Sequence, residues 1–155
     1  MTEKMGFETT RTLHIEFGNK PCEGYGYRFK SKEELRWANY LELLKMSKEI
    51  ESWEYEPQTF EFKERYRARK QYTPDFRTVE HGQVKWYEVK RGSTLTQKAV
   101  SKLKYMQADF PDEWITLVYP SRPKKENKIS RLLDNAAKYA NEIIYSGRIF
   151  RKLGL

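Results

Sequence analysis

The sequence predicts an α/β fold, a central sheet with helices on both faces, and three observations carry that expectation. Apolar stripes at helical spacing over 31–46 and 95–110 alternate with strand-like runs at 59–66, 72–79, 84–90 and 114–119. Glu80-His81-Gly82-Gln83 joins two of those runs through two residues, a hairpin signal because a type I′ turn needs positive φ at both central positions. The apolar run Trp114-Ile115-Thr116-Leu117-Val118-Tyr119 follows a helix, so it can join the sheet parallel to a neighbour through a crossover. An antiparallel meander with helices on two faces is an α/β architecture.

Composition narrows the class. A chain of 155 residues fits one domain with a real core, and 38% hydrophobic with 15% aromatic residues is not a disordered composition. Thirty Lys and Arg against 22 Asp and Glu leave a net charge of +8, which favours a polyanionic partner over a merely basic surface only once other features agree. The single cysteine, Cys22, excludes an intrachain disulfide and a Cys-based zinc site. No apolar run approaches the roughly 18 residues of a membrane span, and the N-terminus lacks a signal-peptide apolar segment. The expectation is a cytoplasmic protein with no membrane partner.

In chain order, 11–17 alternates well enough for a short strand, 18–26 is a Gly- and Pro-containing loop, and 27–29 can pair back as a second short strand. Ser31-Lys32-Glu33-Glu34 reads as a capping box, opening a helix to Met46. Glu34, Trp37, Ala38, Leu41 and Leu44 share one face of it, so a carboxylate heads the stripe that should be buried. A plain capping glutamate is an equally good reading of that segment alone. Residues 50–57 read as a connection. Phe60, Phe62, Glu64 and Tyr66 alternate as a strand, and Arg65, Arg67, Arg69 and Lys70 make the following turn basic. Gly92-Ser93-Thr94 offers an N-cap to a helix from Leu95 to about Phe110, with Lys98, Lys102 and Lys104 on its polar face. A basic loop holding Arg122, Lys124 and Lys125 follows the last strand, and a C-terminal helix spans about 127–146.

The hairpin concentrates the chemistry. With His81-Gly82 as its turn, residues whose numbers sum to 163 pair, so Asp75 faces Glu88. Like charges directly opposite repel, and a fold that pairs them needs something positive between them. Lys90 points to the same face as Glu88, since the strand period is two. Two carboxylates and a lysine at one point suit a hard divalent cation and a phosphate. An exposed strand face with a cross-strand ion pair is the bland alternative, and the facing acids argue against it.

Glu34 within Ser-x-x-Glu, Pro74-Asp75 and Glu88-Val89-Lys90, in this element order, resemble the PD-(D/E)xK nuclease superfamily. Phe29-Lys30-Ser31, Tyr72-Thr73-Pro74-Asp75-Phe76 and the apolar strand before Ser121-Arg122 are similar to its phage endonuclease I branch, metal-dependent enzymes that cut branched DNA, including Holliday junctions. The resemblance spans about 27–125. It implies a restriction-endonuclease-like core of order αβββαβ over about 27–120, within one nuclease domain of 1–155 and followed by the C-terminal helix. It implies Mg²⁺ or Mn²⁺ on Asp75, Glu88 and the Val89 backbone carbonyl, with Glu34 holding a second metal or ordering water. Lys90 would orient or deprotonate water and stabilise developing charge. Arg65, Arg67, Arg69, Lys70, Lys98, Lys102, Arg122, Lys124 and Lys125 would grip DNA. The branch works as an intertwined dimer, which leaves a homodimer open here, although no exchange hinge is identifiable. For a phage-encoded protein the compartment would be the host cytoplasm.

His14 and His81 lack metal-ligand partners at recognised spacing, and no Gly-rich phosphate loop implies a nucleoside triphosphate. Two alternatives stand beside the branched-DNA nuclease. One is a sequence-specific or transposase-associated endonuclease, and the other a catalytically inactive nucleic-acid-binding module on the same fold.

Overall fold

Over residues 22–63 and 71–155, which the computed structural model describes, the chain runs β1 (Cys22–Gly24), β2 (Tyr27–Phe29), α1 (Lys32–Met46), β3 (Ser52–Tyr55), β4 (Phe60–Glu61), β5 (Gln71–Tyr72), β6 (Phe76–Glu80), β7 (Gln83–Val89), α2 (Gln97–Asp109), β8 (Trp114–Tyr119), α3 (Lys128–Ala137), β9 (Glu142–Tyr145) and α4 (Ser146–Leu153). A five-stranded mixed sheet of order β3-β6-β7-β8-β9 is the centre. β3, β6 and β7 are antiparallel neighbours, while β8 and β9 run parallel to β7. The carboxyl ends of β3, β7, β8 and β9 and the start of β6 therefore share one end of the sheet.

The hairpin has the expected register. Glu80 pairs Gln83, Val79 pairs Val84 and Phe76 pairs Tyr87, and His81 and Gly82 have φ of 53° and 81°, as a type I′ turn demands. Strand alternation divides the core in two. Trp86, Ile115, Leu117 and Tyr119 face α2 and α3, while Tyr87, Val89 and Val118 face α1 and Phe150 of α4. β8 is apolar but for Thr116 because both of its faces are covered, and burying each of its large apolar side chains contributes about 1.5–3 kcal/mol. Among the described residues no helix is long and apolar enough to cross a membrane.

Several elements differ from the sequence expectation. The third strand of the meander is β3, inside the segment read as a connection, and not 59–66. Of the described part of that run, residues 59–63, only Phe60–Glu61 is a strand, pairing β5 in a separate two-stranded sheet; the rest of the expected strand lies outside the described residues. Phe60 and Phe62 nevertheless bury their rings against Trp86 and Tyr105, which is the burial their alternation signalled. The partner of β2 is Cys22–Gly24, within the expected loop, and the expected strand at 11–17 lies outside the described residues. Gly92–Thr94 forms a short 3₁₀ turn, and Thr96 is the N-cap of α2. The expected C-terminal helix over 127–146 ends at Ala137. Asn141 then ties into the sheet, its N–H donating to the Ile115 carbonyl at 2.8 Å and its Oδ1 accepting from Ile115 N–H at 2.9 Å. Ile143 and Ile144 follow as strand β9. Edge pairing there overrides a helical apolar stripe.

Candidate active site

Register explains why the Pro74-Asp75 step ends a strand. Odd-numbered residues of β7 bond toward β6, because Lys90 N–H donates to Val118 on the β8 side at 2.9 Å. In a continued ladder Val89 would exchange both hydrogen bonds with Pro74, but proline has no N–H. The ladder stops at Phe76–Tyr87. Asp75 turns its carboxylate into the gap, and its Oδ2 accepts from Val89 N–H at 2.7 Å. The Asp75 carbonyl accepts from Glu56 N–H at 2.8 Å, so the bend is held by β7 on one side and the end of β3 on the other. Asp75 and Glu88 meet at this sheet end through that bend rather than as a directly opposed ladder pair. The Val89 carbonyl points the same way as its N–H, and Pro74 cannot donate to it.

The other acids arrive by separate routes. Glu88 projects from β7, with Oε1 accepting from Tyr72 OH at 2.8 Å and Oε2 lying 3.1 Å from Lys90 Nζ. Glu34 sits in the first turn of α1, whose N-cap Ser31 accepts from Glu34 N–H at 3.1 Å. The reciprocal half of the capping box is altered. Glu34 Oε1 accepts from Lys30 N–H at 2.8 Å, one residue before the cap, and from Tyr55 OH at 2.7 Å. Glu34, Asp75 and Glu88 are all buried, at 6–7% exposure.

Burying acids together has the expected electrostatic effect. Burial pushes the Asp75 carboxyl well above its ordinary range, and the charges of Glu88 and Glu34 add to that, against the Val89 N–H and Lys90. Burial also raises Glu34, opposed by its bonds from Tyr55 and Lys30 and reinforced by Glu56 and Glu88. Burial alone would lower the Lys90 ammonium, but Glu88 and Asp75 outweigh it and raise it. Lys90 is thus a cation placed among three acids.

Lys90 also stands between two cavities. One is lined by Lys30, Glu34, Val89, Lys90 and Arg91, the other by Lys90, Thr96, Lys98 and Lys102. Arg122 forms an exposed pair with Asp134 at 2.9 Å. Lys124 and Lys125 are exposed on the loop leaving β8, at the sheet end where the acids meet. Arg65, Arg67, Arg69 and Lys70 lie outside the described residues.

Sequence reasoning missed four neighbours of the acids. Tyr55 and Tyr72 hold Glu34 and Glu88, as above. Lys30 Nζ pairs with Glu56 Oε2 at 2.7 Å, and Glu56 has φ of 46°, a backbone conformation uncommon outside glycine. Tyr72, three residues before Asp75, stands in the Tyr72-Thr73-Pro74-Asp75-Phe76 stretch, but nothing in the sequence marks it as the partner of Glu88.

A hard cation would find oxygen donors here in Asp75, Glu34, Glu88 and the Val89 carbonyl, the ligand chemistry of Mg²⁺ or Mn²⁺. Asp75 and Glu34 each have one carboxylate oxygen engaged by the hydrogen bonds above. Both oxygens of Glu88 are engaged, and among the described residues no three Asp, Glu, His or Cys side chains are grouped at metal-ligand spacing. Lys90 holds the position where positive charge is needed.

Comparison with curated proteins and with solved structures gives no match. Residues 16–125 match the family model described as protein of unknown function (DUF1064). The chain therefore belongs to the DUF1064 family.

Proposed function

We propose that this protein is a metal-dependent endodeoxyribonuclease of the PD-(D/E)xK type, with a restriction-endonuclease-like core, acting on branched DNA such as Holliday junctions. The observation that carries the proposal is the meeting of Asp75, Glu88 and Glu34 with Lys90 at one buried sheet end. A hydrophobic interior gives such a cluster no stability benefit, and perturbed groups of this kind concentrate at functional sites. The position agrees with the general placement of ligand sites at the carboxyl ends of strands in α/β sheets.

In this reading Asp75, Glu88 and the Val89 carbonyl hold Mg²⁺ or Mn²⁺, and Glu34 holds a second ion or orders water. The ion, when bound, supplies charge neutralisation at the phosphoryl oxygens and lowers the pKa of its water. Lys90 orients the attacking water and stabilises developing negative charge from its ammonium. Lys98 and Lys102, which share a cavity with Lys90, receive backbone phosphate, and Lys124, Lys125, Arg122, Arg65, Arg67, Arg69 and Lys70 extend the basic footprint. Net charge of +8 supports a polyanionic substrate. Action as a homodimer in the cytoplasm belongs to the same proposal.

One observation favours a second reading, an inactive nucleic-acid-binding module: Tyr72 and Lys90 already occupy both oxygens of Glu88. Cleavage assays with Mg²⁺ or Mn²⁺ on a four-way junction, a flap, a single strand and a linear duplex decide between them. Junction cleavage that Asp75→Ala abolishes is the expected result. Metal-independent binding without cleavage would select the inactive module, and preference for linear duplex would select a sequence-specific or transposase-associated endonuclease.

A further inference from the structure

Glu34 and Glu88 come from different elements, yet each is held by the same device. Tyr55 OH, at the end of β3, donates to Glu34 Oε1 at 2.7 Å, and Tyr72 OH, in β5, donates to Glu88 Oε1 at 2.8 Å. Both phenols are buried, at 8% and 2% exposure. Their rings are fixed by packing. Tyr55 meets Phe29 at 4.7 Å and Phe76 at 5.3 Å, and Tyr72 stacks on Phe62 at 6.4 Å. The third acid, Asp75, has no phenol but receives the Val89 N–H at the same kind of position. Every acid of the cluster is thus tied through one oxygen to a rigid donor, and a carboxylate fixed at one oxygen has a fixed direction for the other.

We propose that Tyr55 and Tyr72 are positioning residues of the acidic site, each locking one oxygen of Glu34 or Glu88 so that the other is aimed at a shared divalent cation. The inference rests on the metal-dependent reading above. Glu88 Oε2 is aimed at Lys90 in the arrangement seen here, and Tyr72 sets that direction. Burial, followed for Tyr72 by the charge of Glu88 and for Tyr55 by its bond to Glu34, raises both phenols, so each remains a protonated donor across the working pH range. Ordering of ligand carboxylates by outer hydrogen bonds affects metal affinity by about 10–100-fold.

The test is Mn²⁺ binding measured by titration calorimetry on the full chain without DNA, for Tyr55→Phe, Tyr72→Phe, Tyr87→Phe and Asp75→Ala. Tyr87→Phe is the control, since Tyr87 OH donates to Glu80, a part-buried phenol–carboxylate bond to the hairpin end of the sheet, on a carboxylate outside the acidic cluster. Melting curves without metal accompany each titration. The expected result is Mn²⁺ affinity about 10–100-fold weaker for Tyr55→Phe and Tyr72→Phe, with Tyr87→Phe within about twofold of wild type despite a comparable loss in melting temperature. Wild-type affinity in both Tyr55→Phe and Tyr72→Phe, with binding lost in Asp75→Ala, overturns the positioning role and leaves the metal reading intact. Wild-type affinity in Asp75→Ala as well overturns both. An equal loss of affinity in Tyr87→Phe also overturns the positioning role, because it would mark a general effect of core destabilisation.

Discussion

The Asp75 carboxylate accepts a hydrogen bond from the Val89 backbone N–H at 2.7 Å, and this single bond joins the two halves of the motif across the hairpin. It replaces the bond that the Pro74 carbonyl would make in a continued ladder. The side chain enters the plane of the sheet and is held there. A group fixed by backbone is not free to relax when its neighbours change, so the acid pair with Glu88 is a built feature of the fold.

Replacing Asp75, Glu88 or Lys90 by alanine is expected to remove cleavage, by at least about 10²–10³-fold for the loss of a single preorganised electrostatic group. Affinity for the same DNA should survive, because phosphate contacts elsewhere supply most of it. Single-turnover cleavage beside anisotropy binding checks this, and cleavage at wild-type rate by Asp75→Ala or Glu88→Ala would refute the assignment.

Asp75→Asn is expected to stabilise the metal-free protein at pH 7–8. Asp75 and Glu34 bind protons more tightly folded than unfolded, since burial first and neighbouring acids second raise both. Above the unfolded carboxylate value of about 4 the folded chain holds more protons, so these groups make stability fall as pH rises toward their folded values. Lys90 is raised as well, so its contribution also falls as pH rises, but only above the ordinary lysine value of about 10.4, outside this range, so it does not mask the effect. Asparagine keeps an oxygen for Val89 N–H and removes the charge. Each kcal/mol gained corresponds to about 2–4 °C in Tm for a domain of this size. Thermal melts from pH 5 to 8 in chelator should show the wild type losing stability with pH and Asp75→Asn losing less; parallel curves would contradict the buried-acid account.

How much of this was legible follows the range of the forces involved. The hairpin register was legible because His81-Gly82 is a local turn signal, and β8 because five apolar residues around Thr116, with covered faces, leave an unambiguous run. That register placed Asp75 opposite Glu88 and in step with Lys90, but the ladder ends at Phe76–Tyr87 and a bend at Asp75, which the register alone does not show, brings the acid to Val89 and Glu88. The start of α1 was readable from Ser31, but the destination of Glu34 Oε1 was not, since Tyr55 lies 21 residues away. β9 was hidden because Ala136, Ala140 and Ile143 continue a helical stripe, and only the Asn141–Ile115 bonds of the folded sheet break it. Tyr72 carries no local mark that separates a core ring from a carboxylate donor. The hydroxyl matters only once β5 is set beside β7.

Lys98 and Lys102 are predicted to contact backbone phosphate, so their alanine variants should weaken DNA binding without sequence preference. Removing one lysine–phosphate interaction lowers the slope of log K against log salt by about 0.9 on duplex DNA. The double variant should therefore reduce the slope by about 2. Lys98 is exposed and Lys102 half-buried, with Lys102 Nζ 5.7 Å from the centre of the Tyr72 ring, so Lys102→Ala is the one of the two expected also to lower Tm slightly. Anisotropy titrations over a salt series measure the slope; an unchanged slope in the double variant would exclude both lysines from the interface.

Pro74→Ala tests why the acid follows a proline. Alanine supplies the N–H that proline lacks, and the register sets that N–H against the Val89 carbonyl, at the position that would pair 74 with 89. Once bonded there, the carbonyl is less available to a cation, while the sheet gains a hydrogen bond worth about 0.5–1.5 kcal/mol. The expected outcome is a variant of equal or higher Tm whose cleavage needs more Mg²⁺ or Mn²⁺, with half-saturation raised by about tenfold or more, the scale on which disturbing a ligand's hydrogen bonding acts. Melting curves and a metal titration of junction cleavage measure the two quantities. Because the predicted changes run in opposite directions, general damage to the fold cannot imitate them: damage would lower Tm and cleavage together. Unchanged metal dependence with raised Tm would mean that the Val89 carbonyl takes no part in holding the ion.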